Sequence, residues 1–421
     1  MRPNLTPDIG LAARLFAALH DATFDGVGIT RAAYGEGERA AHAIVRTAAE
    51  AMGLEIAVDA AGNMLMTLPG RDRAAPRLVI GSHLDSVAQG GNFDGAAGVL
   101  AGLAVVGGMR RAGFVPARDL VVLAVRAEEA GSWFPTSFPG SRAATGTLPR
   151  EALEVRRLDT GRTLAEHMRA EGFDPDAVRA GSCLLPPASV AAYVELHIEQ
   201  GPVLDARGIP AAIVTGIPGS RRLRAARVLG EYNHSGDTPR RYRRDAGLAL
   251  AELAVALDRH WLAMESEGHQ MVCTFCVLAT TAEAGFTKIP GEARFQLDVR
   301  SVDPASVDAL FAELHRLAPR IEARRGVRFE LGEETGSAAT PLDPGVCAAL
   351  RRAAGDAGVA SIEMASGGGH DAAAFAQAGV PSAMVFVRNQ HGSHNPHEAM
   401  RMEDFADATA LLMRWASDAG A

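Results

Sequence analysis

Seven side chains suited to catalysis sit in four short stretches of this sequence. "VIGSHLD" ends on His83 and Asp85, and a Gly-rich loop after it carries Asp94 in "GGNFDG". "VVLAVRAEE" ends on Glu128 and Glu129, "VELHIEQG" holds His197, and "VFVRNQHGSHNPHE" holds His394. Each stretch is an apolar run whose carboxyl end passes abruptly into His, Asp or Glu. Neutral imidazoles and ionised carboxylates together make a divalent metal site of the zinc or manganese type. The acids outnumber what one ion needs, so two ions sharing a carboxylate is the economical arrangement. Singly, each residue has an ordinary use. A strand-end histidine is commonly a surface hydrogen-bonding group, Glu-Glu a solvated pair, and Asp94 before Gly95 a helix cap. The joint pattern at four strand ends is what favours metal.

Residues so far apart in the chain meet only if their strands end together, as the carboxyl ends of an open α/β sheet do at one crevice. Apolar periodicity predicts helices over 9–20 and 36–52, then two strands around an Ala-Gly-Asn turn in "EIAVDAAGNMLMTLPG". "RLVIGSH", the helix "DGAAGVLAGLAVVGGMRRAG" and "DLVVLAVRAEE" form a strand–helix–strand unit, and "SVAAYVELHIEQG" is a further strand. Near Gly216 the character changes. A strand with charged alternation, a helix over 244–264, the strands "MVCTFCVLAT" and "EARFQLDVRS", a helix over 304–324 and "VRFELGEE" follow in the ferredoxin-like order βαββαβ. A helix over 346–357, "SGGGHDAAAFAQAG" and the strand "SAMVFVRN" restore α/β character. The expectation is a two-domain α/β protein. A catalytic domain with a mixed sheet spans 1–215 and 336–421, and a smaller domain is inserted at 216–335.

Composition narrows the function classes. The chain has 421 residues, 48% hydrophobic and 22% charged, as in an ordinary globular protein. A net charge of -8 gives no support to nucleic-acid binding. Cys183, Cys273, Cys276 and Cys347 are too scattered for a disulfide framework. Cys273 and Cys276 form a C-x-x-C, but on a strand residues three apart face opposite ways, which speaks against a metal role. "MRPNLTPDIG" does not read as a secretory signal, and no run of about 20 apolar residues suggests a membrane span. These features fit a reducing cytoplasm.

The motifs "GSHLDSV", "GNFDGAAGV", "AEEAGSWF", "FPGSRAATG", "ELHIEQGPVLD", "NHSGDTP", "DVRS", "GGGHDA" and "GSHNPHE" occur in one order between Gly81 and Glu398. Together they resemble the amidohydrolase branch of the di-zinc aminoacylase and carboxypeptidase superfamily. That branch holds N-carbamoyl-L-amino acid hydrolases, β-ureidopropionases and allantoate amidohydrolases. The resemblance implies a di-zinc hydrolase fold whose inserted domain serves as lid and dimerisation domain. It implies two divalent ions per subunit, Zn²⁺ or Mn²⁺ with Co²⁺ possible, acting on a small-molecule carboxylate. By the same resemblance Asp94 bridges both ions, His83 and His197 complete one, and Glu129 and His394 the other. Asp85 orients His83. Glu128 is the general base for a bridging hydroxide that attacks a ureido or amide carbonyl, and it returns the proton to the leaving nitrogen. His234 acts in trans across a homodimer to stabilise the oxyanion, Arg300 grips the substrate carboxylate, and Gln200, Gly368 and Gly369 line the pocket.

Two positions depart from the family pattern on substrate-facing segments. Thr287 stands where an asparagine is usual, and Arg240 where a methionine is usual. A fixed charge at Arg240 suits a substrate with a second acidic or strongly polar group. Two other functions remain in view. One is an aminoacylase- or dipeptidase-like hydrolase of a different N-acyl amino acid. The other is a non-catalytic binding protein of the same fold, against which the complete set of ligands and base argues.

Overall fold

The computed structural model describes residues 5–129 and 131–419. Residues 1–4 of the stretch inspected for a signal, and Ala130 of "AEEAGSWF", lie outside the described residues. The chain forms two compact units, Met1–Thr215 with Leu342–Ala421, and Gly216–Pro341.

The first unit is built on an eight-stranded sheet. Its centre is four parallel strands in the spatial order Leu120–Val125, Arg77–His83, Val190–Ile198 and Ser382–Val387. These are near-continuous Val, Ile, Leu and Ala runs buried along almost their whole length, as strands covered on both faces must be. Met64–Leu68 and then Glu55–Val58 extend one side antiparallel. On the other side Ala211–Val214 runs antiparallel to Ser382–Val387, and Ser361–Met364 runs parallel to it, so the sheet is mixed. The helix Ala96–Arg111 lies very close to the sheet because its residues are small. A Cβ on Gly98 would come within 2.3 Å of the Leu196 carbonyl oxygen. The C-terminal helix Met402–Ala419, not expected from the pattern, packs on this helix and on Pro344–Ala357.

The strands expected to run through Glu129 and Gly201 stop earlier, at Val125 and Ile198. Beyond them the polar residues sit on loops. Because the four central strands run the same way, their carboxyl ends share one edge of the sheet, and the site residues hang from that edge.

The second unit has Gly219–Leu229, Ala246–Ser266, Met271–Thr280, Glu292–Ser301, Pro304–Arg325 and Arg328–Glu330 in βαββαβ order. Its strands are antiparallel in the ferredoxin-like order Met271–Thr280, Glu292–Ser301, Gly219–Leu229, Arg328–Glu330. "VRFELGEE" yields only a three-residue strand, and a fifth strand, Glu334–Ser337, joins beside Gly219–Leu229. Alternation puts Ala293, Phe295, Leu297 and Val299 against the two helices. The first helix starts at Ala246 because the Asp245 side chain caps it, accepting from the Leu248 N–H. Cys273 packs at the edge of the helix-side core and Cys276 is exposed. Among the described residues no helix is long and apolar enough to cross a membrane.

Candidate metal centre

His83 is the last residue of its strand, and Asp85 follows two positions on. The loop returns with Asp94, whose main-chain N–H, with that of Phe93, donates to Glu398 Oε1 at 3.2 and 3.0 Å. Gly95 then starts the Ala96–Arg111 helix at φ 66°. Its position demands glycine, since a Cβ there would fall 2.4 Å from the His83 ring.

The next strand ends in a bend at Ala127, held at φ 57°. A non-glycine residue in that region is strained and needs support. Glu38, fully buried on the helix Glu36–Ala51, supplies it. Its carboxylate accepts from Ala127 N–H at 3.0 Å and from Arg126 Nη1 at 2.9 Å. Past the bend, the Asp85 carboxylate accepts the main-chain N–H groups of Glu128 and Glu129, each at 3.0 Å. Asp85 therefore holds the two glutamates as well as lying beside His83, whose Nδ1 is 3.0 Å from the Asp85 carbonyl and 3.4 Å from its carboxylate.

Gln200 (φ 64°) and His394 (φ 59°) are also in the left-handed region. Asn389, buried on the loop after the last central strand, ties these segments together. It accepts from Gln200 N–H at 3.0 Å and donates to the Gly392 carbonyl at 2.7 Å. Three of the four strand ends thus carry a strained residue braced by a buried polar side chain.

The side chains converge in two groups that share Asp94: His83, Asp94 and His197, and Asp94, Glu129 and His394. His83 Nδ1 faces the Asp85 carbonyl, and His197 Nδ1 faces the Ile198 carbonyl at 2.9 Å. A carbonyl only accepts, so each neutral ring keeps its proton on Nδ1 and offers a bare Nε2. The two Nε2 atoms are 3.4 Å apart, and lie 3.6 and 3.1 Å from Asp94 Oδ1. Asp94 Oδ1 is buried without a hydrogen-bond partner among the described residues. Gly95 N–H reaches His197 Nε2 only at 3.3 Å. Three acceptors converging this way is an arrangement that a cation relieves. The residues therefore fit a divalent ion. In the second group His394 Nε2 is 3.4 Å from both Asp94 Oδ2 and Glu129 Oε1.

Protonation behaviour without an ion shows the same demand for positive charge. Burial works against a charged His83, yet Glu128, Asp85 and Asp94 raise its pKa well above the usual imidazole range. Hydrogen bonding to Asp94 pushes His394 up to about 9. Burial, with Asp94 beside it, pushes Glu129 up to about 7, and burial raises Glu128 well above the carboxylate range. A bound cation reverses these shifts for the carboxylates.

A third convergence, Glu195 with His197 and His370, is already satisfied by the protein. Glu195 accepts from Ser82 Oγ at 2.9 Å and from Ala372 N–H at 2.8 Å. His370 Nε2 meets Ser366 Oγ at 2.9 Å, and its ring packs edge-on against His197. This group forms a wall behind His197.

Of the pocket residues, Gln200 donates to Asp94 Oδ2 at 2.8 Å, and Gly368 lies against the Gln200 side chain. Gly369 lies against Phe138. His234, Thr287, Arg240 and Arg300 belong to the second unit. His234 pairs with Lys288 where Asn233–His234 and Lys288–Ile289 form a short two-stranded antiparallel ladder, next to the Thr287 carbonyl that accepts from Ser235 N–H. Its Nδ1 accepts from Gly236 and Asp237 N–H at 3.1 and 3.0 Å, which leaves the proton on Nε2 of an exposed ring. Arg240 is exposed in the turn Arg240–Tyr242, and the Asp237 carboxylate lies beside His234 at 3.3 Å.

Pattern reasoning passed over Arg31, Ser393 and Glu398 as site residues. Arg31 is completely buried, with Nη1 3.2 Å from Asn92 Oδ1 and Nη2 3.5 Å from the Asp94 carbonyl. Burial lowers its pKa, while Glu398 and Asp94 oppose the shift. Ser393 Oγ lies 2.6 Å from both Asp94 Oδ2 and Glu398 Oε2.

Residues 79–418 match the family model for peptidase family M20/M25/M40. The chain is 36% identical over 388 residues to an N-carbamoyl-L-amino acid amidohydrolase of Geobacillus stearothermophilus, covering 91% of this chain and 92% of that one. It is 31% identical to an allantoate amidohydrolase of Bacillus subtilis, covering 90% of each. A hydantoinase/carbamoylase family amidase from Burkholderia multivorans superposes with a TM-score of 0.91 at 28% identity, over 99% of both chains.

Proposed function

The chain belongs to peptidase family M20/M25/M40 and, within it, to the hydantoinase/carbamoylase amidases, and from that premise we propose that it hydrolyses N-carbamoyl amino acids with two divalent ions. It is a metal-dependent amidohydrolase acting on carbamoyl or ureido amide bonds. The observation that carries the finer reading is the convergence of His83 Nε2, His197 Nε2 and the unpartnered Asp94 Oδ1, with Glu128 Oε2 3.7 Å from His83 Nε2.

His83 and His197 would hold one ion and Glu129 and His394 the other, with Asp94 belonging to both groups. Zn²⁺ or Mn²⁺ suits these donors, with Co²⁺ a third candidate; when bound, the ions supply Lewis acidity and lower the pKa of water. Glu128 takes a proton from the attacking water and delivers it to the nitrogen that leaves as the C–N bond breaks. Burial of Glu128 keeps bulk water from short-circuiting that transfer. Gln200, with Gly368 beside it, lines the approach.

The protein acts as a homodimer through its second unit, with His234 serving the partner's centre. Two surfaces support this. Met271–Thr280 is an edge strand that exposes Val272, Val277 and Leu278. The helix Ala246–Ser266 exposes Leu248, Val255 and Leu262, a stripe with heptad spacing. The cysteines are free thiols, which supports a reducing, cytoplasmic location.

A panel of N-carbamoyl and N-acyl amino acids, assayed with Zn²⁺, Mn²⁺ and Co²⁺ after chelation, tests the reading. Ammonia and CO₂ release from ureido substrates is the expected result. Free amine from N-acyl amino acids alone would replace it with an aminoacylase.

A further inference from the structure

The two oxygens of Asp94 are met differently. Oδ1 faces the Nε2 atoms of His83 and His197 and has no hydrogen-bond partner among the described residues. Oδ2, on the side of His394 and Glu129, already accepts from Gln200 Nε2 at 2.8 Å and from Ser393 Oγ at 2.6 Å. A carboxylate oxygen offers about two lone-pair sites, so protein donors fill those of Oδ2. As the side chains stand, Oδ1 is open to a cation. A cation shared by Asp94, Glu129 and His394 needs one donor to leave Oδ2.

Of the two donors, Ser393 has a second acceptor at hand. Its hydroxyl carries a single proton, yet Oγ lies 2.6 Å from Glu398 Oε2 as well as from Asp94 Oδ2. Glu398 is held from its other side, where Oε1 accepts the main-chain N–H groups of Phe93 and Asp94 at 3.0 and 3.2 Å. Gly91 leaves room for this carboxyl group, which a Cβ there would strike. Gln390 and Ala399 close the base of loop 390–399 with main-chain bonds of 2.7 and 3.1 Å. Ser393, His394 and Glu398 therefore share one braced loop. Passing the hydroxyl from one acceptor to the other takes only a rotation about its Cβ–Oγ bond. No group changes charge and no main chain moves.

We infer that the Ser393 hydroxyl is a switch for the second metal position, donating to Asp94 Oδ2 while that position is empty and to Glu398 Oε2 when it is filled. Glu398 is the positioning residue that makes the turn possible, because a hydroxyl that lost one acceptor without gaining another would be left unpaired. The inference rests on the two-ion reading above. It makes the two positions unequal: the one at Oδ1 fills first, and the one at Oδ2 fills only as Ser393 turns away.

Glu398→Gln isolates the switch. Two N–H donors face Oε1, so the amide carbonyl takes that side and the amide nitrogen faces Ser393 as a donor. Ser393 then keeps Asp94 Oδ2 as its acceptor and stays in the way. Calorimetric titration of Mn²⁺ into the metal-stripped, full-length protein counts the ions and reads both affinities without turnover. Wild type should bind two ions unequally. In Glu398→Gln the weaker affinity should fall about tenfold, the loss expected for one charge-assisted hydrogen bond, with the tighter one unchanged. Adding Ser393→Ala to Glu398→Gln removes the competing donor and should restore the weaker affinity to the wild-type value or above. Ser393→Ala alone should bind the second ion at least as tightly as wild type. Equal second affinity in wild type and Glu398→Gln overturns the switch and leaves the two-ion reading standing. So does a loss that the double variant fails to restore, since Glu398 then acts by packing the loop. A weaker second ion in Ser393→Ala overturns the switch independently of how Glu398→Gln folds. A single ion bound to wild type at saturation overturns the two-ion reading and the switch together.

Discussion

The carboxylate of Asp85 accepts the main-chain N–H of Glu128 through Oδ1 at 3.0 Å, and its other oxygen accepts that of Glu129 at 3.0 Å. A buried acid after one strand thus positions two acids after the next. Asp85→Asn turns one acceptor into a donor facing an N–H. Activity and metal affinity should each fall by about 10- to 100-fold, the usual cost of losing a group that orients ligands. Chelator competition reads the second effect without reference to turnover. Unaltered affinity would mean that the loop itself holds Glu129 in place.

Glu128 and Glu129 are adjacent in sequence but differ in neighbours. Glu129 Oε1 faces His394 at 3.4 Å, and Glu128 Oε2 faces His83 at 3.7 Å. Glu128→Gln keeps shape and removes the base. It should lower kcat by at least about 10² with metal content near normal by atomic absorption. Loss of metal in this variant would exchange the roles of the two glutamates.

The strand ends were legible because period-two alternation and apolar runs survive any tertiary context. His83 and Asp85 are two apart, and His197 lies near the carboxyl end of a strand that is apolar except for Glu195. The mixed sheet was expected, but which strand on its far side runs against the others is visible only in the pairing. Ala211–Val214 is a four-residue strand whose antiparallel direction depends on Ser382–Val387, far along the chain. Glu195 lies on the same strand as His197, but its partners Ser82 and Ala372 come from other elements. Arg31 precedes the first motif by some fifty residues and looks like any other arginine until its burial beside Asp94 is seen. Bulges at Arg224 and Cys276 in the second unit's sheet leave no mark in composition, since register exists only between strands.

His42 is buried on the helix Glu36–Ala51, and its Nε2 has no hydrogen-bond partner among the described residues. Burial and the nearby Arg126 depress its pKa well below 6.5. The folded protein therefore keeps His42 neutral while the unfolded chain takes a proton as the pH falls through 6.5. Below that point the unfolded state binds more protons, and stability falls by up to about 1.4 kcal/mol per pH unit from this group. His42→Leu should flatten the decline between about pH 6.5 and 5 in urea melts. Parallel declines in variant and wild type would assign the acid limb to other groups.

His234 sits in the second unit and the metal ligands in the first. With Nδ1 accepting from Gly236 and Asp237, its Nε2–H is free to donate to an oxyanion. A lid histidine closing over its own subunit's centre would use the same donor, so chemistry alone does not choose between cis and trans. Mixed dimers do. Glu128→Ala and His234→Ala chains, each inactive alone, are allowed to exchange subunits. If His234 acts in trans, one site of the heterodimer combines both defects and the other neither. Activity then returns to about half of wild type per heterodimer. If it acts in cis, every site keeps one defect. No activity appears however long the chains are mixed, even though subunit exchange can be followed independently by mass spectrometry.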